Sequence, residues 1–224
     1  MLGEAIGGLL PSAIAVALSP IPIVGVVLVL GTPRARASGT AFALGWVFGL
    51  AALSTIVVLL LGSGVDHDTE AGIEWFKVAI GIVFLAMAAK QWRKRPKEGE
   101  VAEMPGWMDS IASITAPRAS ALGAGLSAAN PKNLALTLTA SASISEAGLG
   151  RADTTLAIVV YVALGSITVA GSVLFFLLSP QRATRPLAAV GRFMSENSAV
   201  IMMVVLLLLG AKLIGDGLGG VASL

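Results

Sequence analysis

The segment ALSPIPIV, residues 17–24, decides how the rest of the chain is organised, because Pro20 and Pro22 interrupt a long apolar stretch. Proline removes a backbone donor and clashes with the carbonyl four residues back, so it breaks or kinks a helix. A second interruption, Asn130-Pro131-Lys132-Asn133, lies in another apolar stretch. The sequence therefore predicts two long helices that are each interrupted near the middle. Broken helices and packing kinks are both open interpretations.

Apolar stretches fill most of the chain around these two interruptions. Hydrophobic residues make up 56% of the 224 residues. Charged residues make up 12%, about half the fraction that a soluble domain carries. A helix that spans a membrane needs about 20 mostly apolar residues. We predict an all-α membrane protein with six transmembrane helices, at 5–33, 37–65, 73–92, 119–145, 154–181 and 197–214.

The two interruptions fall in the first and fourth predicted spans, as in a repeat. Placing Pro20 on Pro131 sets an offset of 111 residues, which also brings Gly39 onto Gly150, where the second and fifth spans begin. Because each half has three spans, the second half enters the membrane from the opposite side. Inverted repeats with interrupted helices are typical of secondary transporters. We predict a 3+3 inverted repeat with a first three-helix repeat at 1–92, a cytoplasmic linker at 93–118 and a second repeat at 119–224.

Basic residues in the loops predict the orientation of the protein. Loops one, three and five contain ten Lys and Arg residues, whereas loops two and four contain one. Basic loops stay on the cytoplasmic side, so we predict a multi-pass protein of the cytoplasmic membrane with both termini outside. In loop three, Met104, Trp107, Met108, Ile111 and Ile114 recur at three- and four-residue steps. This spacing predicts an interfacial amphipathic helix, which either rests on the headgroups or serves as a gate or docking site.

Lys132 is the ionisable side chain that the sequence places near the middle of a span. Placing a lysine there costs at least about 2.5 kcal/mol, so the side chain should face the bundle interior or a watery cavity. Two roles are open: contact with a substrate, and donation to the carbonyls that the prolines release. Asn133, Thr137, Ser141 and Ser145 follow at four-residue steps and share one helix face. Hydrogen bonding between helices is the commoner reason for such polar faces.

The predicted substrate-binding set joins both interruptions to this polar face. It consists of Ser19, Pro20, Pro22, Asn130, Pro131, Lys132, Asn133, Thr137 and Ser141. A central cation without a central carboxylate favours an anionic group, such as a carboxylate, sulfate or phosphate, over a cationic solute.

Several function classes are disfavoured by what the sequence lacks. The chain has no cysteine, and its single histidine, His67, lies in loop two. Thiolate chemistry and cysteine metal sites are excluded, and an imidazole metal centre is disfavoured. No nucleophile, base and orienting group can be assembled, so we predict no enzyme activity, no cofactor and no metal. The net charge of +2 gives no indication of nucleic acid binding.

Three motifs resemble a known family: SPIP at 19–22, NPKNLAL at 130–136 and PGWMDSI at 105–111. They are similar to the Gap and Sap families, the glycolipid- and sulfolipid-addressing proteins of actinobacteria, within the LysE superfamily of exporters. The resemblance covers nearly the whole chain. It implies export or surface delivery of lipids and an association with lipid-synthesis machinery. The residues that carry over are Ser19 to Pro22 and Asn130 to Asn133, and no coupling residue comes with them.

We predict a transporter that moves an amphipathic, anionic lipid or glycolipid across the cytoplasmic membrane, with acyl chains along the apolar faces of spans two and five. One alternative is a LysE-like exporter of a small amino acid or related solute. Another is a non-transporting scaffold that recruits lipid-synthesis enzymes through loop three. The predicted partners are a membrane lipid or a small anionic or zwitterionic substrate, lipid-synthesis machinery, and a second copy of the chain in a homodimer.

Overall fold

The structure is a computed structural model that describes residues 1–62, 70–93, 111 and 113–222. These residues form nine α-helices and no strand, which confirms the all-α prediction. In chain order the helices are α1 (Leu2–Ala17), α2 (Pro20–Leu30), α3 (Ala35–Gly62), α4 (Glu70–Arg93), α5 (Ala116–Ala128), α6 (Pro131–Glu146), α7 (Arg151–Leu178), α8 (Pro180–Glu196) and α9 (Ser198–Val221).

Several of these helices are suited to a membrane. Within the described residues, α3, α7 and α9 are each long and apolar enough to cross one. The pair α1 and α2 meets the same criterion as one span that bends by 49° at its break. Length and composition thus give three spans, or four with the bent pair, and support a membrane protein. The six-span arrangement stays a prediction.

Both proline motifs separate two helices instead of kinking one. α1 ends at Ala17 and α2 begins at Pro20, while α5 ends at Ala128 and α6 begins at Pro131. These positions coincide under the 111-residue offset. Proline is well placed at the first position of a helix, because the first N–H groups have no partner within the helix. Pro20 and Pro131 therefore each start a new helix, and the two predicted interruptions are confirmed, whereas the assignment of α5 and α6 to one span stays a prediction.

Some predicted boundaries differ from the observed helices. Gly150 precedes α7 directly, but Gly39 lies four residues inside α3, which begins at Ala35. The last helix was expected to end near residue 214 and continues to Val221. Its apolar run extends past Lys212, whose ammonium forms an ion pair with Asp216 one turn later. Lysine is a good helix former, so Lys212 does not end the helix.

The basic loop between the fifth and sixth spans is instead a helix, α8. Its buried residues Ala183, Leu187 and Gly191 recur at four-residue steps among the arginines. The prediction that this segment is a loop is therefore wrong. Met104, Trp107 and Met108 of the predicted amphipathic helix lie outside the described residues, as does His67. Ile111 and Ile114 are described, and both are buried.

Small residues let the helices approach each other closely. A Cβ atom added at Gly45 of α3 would lie 2.0 Å from the carbonyl oxygen of Ser120 in α5. Between α4 and α9, a Cβ atom at Gly81 would lie 2.8 Å from the carbonyl oxygen of Gly210. α3 packs along α5, α7 along α1, and α4 along α9. Each broken helix pair therefore packs against a long helix from the other half of the chain.

Candidate functional site

The first turn of α6 lies against the last turn of α1, and Lys132 joins them. Its ammonium donates to the carbonyl oxygen of Ala15 at 2.9 Å and to the hydroxyl oxygen of Ser19 at 2.6 Å. A weaker contact of 3.9 Å reaches the sulfur of Met202 in α9. Lys132 is only 3% exposed, so it faces the bundle interior as expected from the cost of its charge. All three of these acceptors are uncharged.

The end of α1 has carbonyl oxygens that no helical N–H can reach, because the helix stops at the break. Ala15 accepts from Lys132, and Ala17 accepts from the hydroxyl of Thr168 in α7 at 2.6 Å. In a hydrocarbon environment such groups need partners inside the protein. Lys132 therefore performs one of the two roles left open by the sequence, since it stabilises the break. The hydrogen bond from Thr168 to Ala17 was not predicted from the sequence.

The end of α5 is stabilised in a related way. The side-chain amide of Asn133 donates to the carbonyl oxygen of Leu126 at 3.0 Å. Leu126 and Ala15 occupy equivalent positions under the 111-residue offset. Two adjacent side chains of the Asn130–Asn133 motif thus satisfy equivalent carbonyls in the two halves of the chain. The side-chain amide oxygen of Asn133 also accepts a long hydrogen bond of 3.5 Å from the hydroxyl of Ser19.

The remaining residues of the two motifs set the geometry of the break. The side chain of Asn130 accepts from the backbone N–H of Lys132 at 3.0 Å and so caps α6. Ser19 occupies the equivalent position before α2, but its hydroxyl contacts Lys132 instead of capping the helix. Pro20 and Pro22 are buried in α2. The predicted residues Ser19, Lys132 and Asn133 are therefore brought together, and Asn130 positions them.

These breaks, with the NPKN motif that joins them, lie within a sequence match to a known family. The family described as Sap, sulfolipid-1-addressing protein, matches residues 9–219. The chain belongs to this family. No curated protein and no solved structure matches it. The resemblance to the Sap family is thus confirmed, and membership of the LysE superfamily stays a prediction. The match includes every residue of the predicted substrate-binding set in this Sap-family protein.

The polar face of α6 points into the protein. Asn133, Thr137 and Ser141 are all buried. Thr137 forms a hydrogen bond of 3.0 Å with the hydroxyl of Tyr161 in α7, which supports the interpretation that this face holds helices together. Tyr161 was not among the residues predicted from the sequence, although a lone tyrosine in an apolar helix needs a partner for its hydroxyl. No partner for the hydroxyl of Ser141 occurs among the described residues.

A double-mutant cycle tests the bond between Thr137 and Tyr161. We expect Tyr161→Phe to lower the free energy of unfolding by about 1 kcal/mol, because it leaves a buried hydroxyl without its partner. Adding Thr137→Val removes that hydroxyl as well, so the double variant should recover most of the loss. Thermal unfolding of the four proteins in detergent measures the effect. Additive losses would contradict the bond.

Four further buried side-chain atoms lack a partner among the described residues. They are one carboxylate oxygen of Glu74, the hydroxyl of Ser145, the indole N–H of Trp46 in α3 and the hydroxyl of Ser166 in α7. α3 and α7 meet α1 nearby, since a Cβ atom at Gly165 would lie 3.0 Å from Leu50 and 3.3 Å from Val16. Leaving a buried donor unpaired costs about 1–3 kcal/mol. Donors of this kind are available to a bound polar group, and Trp46 was not among the site residues predicted from the sequence.

Proposed function

We propose that this protein carries an amphipathic, anionic lipid from the inner to the outer leaflet of the cytoplasmic membrane. In this proposal six spans form two inverted three-helix repeats, and both termini lie outside. The observation that carries the proposal is the buried ammonium of Lys132 between two broken helices, bonded only to uncharged groups among the described residues. The family description, which names a sulfolipid, supports a lipid with an acidic headgroup.

The repeat is supported by the ends of the half-helices and by their packing. Helix ends at Ala17 and Ala128, and helix starts at Pro20 and Pro131, share one offset. α3 of the first half packs on α5 of the second, and α7 of the second packs on α1 of the first. When the two halves are exchanged, the contact between α3 and α5 therefore becomes the contact between α7 and α1. Carriers built from inverted repeats bind their substrate at the repeat interface.

The packing of the half-helices differs between the two sides of the break. α1 lies close to α6, where a Cβ atom at Gly8 would meet Ser143 at 3.1 Å. The equivalent pair under the repeat is α5 and α2, which have few contacts. Arg34 follows α2 and Arg118 lies in α5, so the predicted orientation puts this looser pair on the cytoplasmic side. This asymmetry is the one expected of a carrier that is closed outward and ready to load from the inner leaflet.

Headgroup binding would use groups that are already buried at the break. An acidic headgroup offers oxygens that can replace Ala15 and Ser19 as acceptors for the Lys132 ammonium. An ion in a low-dielectric site gains more from an anion than from a carbonyl dipole, so the exchange favours a charged lipid. The apolar side chains of α3 and α7 that face outward, such as Phe48 and Ile167, would keep the acyl chains in the bilayer.

Reconstitution into liposomes tests the proposal. We expect a fluorescent sulfated glycolipid to reach the opposite leaflet faster with the protein than without it, and faster than a matched neutral lipid, as measured by quenching from outside. Liposomes loaded with an amino acid provide the second arm. Release of the amino acid without lipid movement would favour the small-solute exporter. If neither compound moves, the transport proposal is wrong and the scaffold hypothesis gains support.

A further inference from the structure

α8 has one side that packs on the protein and two sides that do not. Ala183, Leu187 and Gly191 are buried at four-residue steps. α8 packs on α2, and a Cβ atom at Gly191 would lie 2.9 Å from Val27, so this glycine permits close contact with the second half of the broken helix. α8 is thereby held against α2 along one narrow stripe.

The exposed surface of α8 divides into a basic strip and an apolar edge. Arg182, Arg185 and Arg192 are exposed, and none of them forms an ion pair with a residue that the structure describes. Helical spacing places Val190 and Phe193 between the buried stripe and the arginines, and they are 43% and 57% exposed. The one acidic residue of α8, Glu196, is its last. The free surface of α8 is therefore cationic beside an apolar margin.

The position of α8 in the chain decides which partner fits this surface. α8 directly connects α7 to α9, and both of those helices are long and apolar enough to cross a membrane. A helix in that position lies near a membrane surface. Arginine on the polar side and phenylalanine on the apolar side are characteristic of helices that lie in the lipid interface. The arginines lie within reach of lipid phosphates if Val190 and Phe193 enter the acyl region.

We propose that α8 is a binding site for the headgroups of anionic lipids in the leaflet next to it. The basic strip of Arg182, Arg185 and Arg192 binds phosphate oxygens, and the apolar edge of Val190 and Phe193 inserts between acyl chains. Each basic residue at an anionic surface adds to the affinity, and the contact with Val27 fixes α2 relative to the same leaflet. The site does not depend on transport, so it stands if the lipid-carrier proposal fails.

Single-cysteine labelling tests how α8 meets the bilayer, because the chain has no cysteine of its own. Val190→Cys carries an environment-sensitive dye on the apolar edge. Ala188→Cys carries the same dye two residues away on the exposed polar side. In vesicles made of phosphatidylcholine and phosphatidylglycerol in equal parts, we expect blue-shifted emission and quenching by brominated acyl chains at position 190 only. Equal quenching at both positions, or none at 190, would overturn insertion of this edge.

A charge-matched pair of variants tests the headgroup site. We expect Arg182→Gln/Arg185→Gln/Arg192→Gln to reduce the enrichment of phosphatidylglycerol around the protein by about tenfold or more. The control Arg34→Gln/Arg36→Gln/Arg118→Gln removes the same charge from exposed positions elsewhere. Native mass spectrometry of protein released from vesicles counts the retained lipids. An equal loss in the control would show attraction by net charge only and overturn the site. Crosslinking of Val190→Cys to a second copy would assign the surface to a protein interface instead.

Discussion

Lys132→Met is expected to slow lipid translocation by at least about tenfold, because a charge-assisted hydrogen bond to a headgroup contributes roughly 1.5–3 kcal/mol. The same change should leave the free energy of unfolding within about 2 kcal/mol of the unmodified protein, since two effects oppose each other. Removal of the ammonium relieves a burial cost of at least about 2.5 kcal/mol. It also removes hydrogen bonds to Ala15 and Ser19.

The hydroxyl of Ser19 limits the damage that this substitution causes. It already lies 3.4 Å from the carbonyl oxygen of Ala15 and can donate to it when the ammonium is gone. If Lys132 were purely structural, Lys132→Met would instead lower the free energy of unfolding by more than this. The rate of translocation would then fall only in proportion to the folded fraction. The two roles of Lys132 are therefore separable by measuring both quantities on the same samples.

Thermal unfolding in detergent and leaflet exchange in liposomes provide the two measurements for Lys132→Met. Lys90→Met is a matched control, because it removes an exposed lysine near the end of α4. We expect that control to translocate lipid at the rate of the unmodified protein. Lipid movement by Lys132→Met at the rate of the control would remove the ammonium from the mechanism.

The breaks were predictable from the sequence because the cause of a break is local. Proline loses its own N–H and clashes within its own turn, so Pro20 and Pro131 fix where a half-helix begins whatever packs around it. The sequence also shows that carbonyls will be left over near each proline. It does not show which donor reaches them. Lys132 and Ala15 are 117 residues apart, and their contact depends on how α1 and α6 pack.

The contacts of Tyr161 and Thr168 were not predicted for the same reason, because they depend on how the helices pack. Tyr161 meets Thr137, and Thr168 meets Ala17, because of the register between α7 and its neighbours. One sequence without its tertiary packing does not specify that register. α8 is a different case, since Ala183 and Leu187 already have helical spacing. Its arginines favoured the prediction of a loop, although charge on one side of a helix is compatible with an apolar stripe on another.

Replacing Gly45 with alanine is expected to lower the free energy of unfolding by about 3 kcal/mol, at the upper end of what overpacking usually costs. The new Cβ atom would lie 2.0 Å from the carbonyl oxygen of Ser120, so the backbones of α3 and α5 would have to separate. Gly123 faces the same contact from α5, where a Cβ atom would lie 2.2 Å from the carbonyl oxygen of Phe42. Gly123→Ala should therefore be as damaging as Gly45→Ala.

Gly125→Ala in α5 is the control for both substitutions, because nothing lies within 4 Å of its Cβ position. Alanine is a better helix former than glycine by about 1 kcal/mol, so this variant should be as stable as the unmodified protein or slightly more so. Thermal unfolding of the three variants in one detergent compares them. Because α5 ends at the break that Asn133 stabilises, separation of α3 from α5 should also disturb the hydrogen bond from Asn133 to Leu126. Tolerance of alanine at both Gly45 and Gly123 would contradict the close approach of these helices, and with it the position of the second break in the fold.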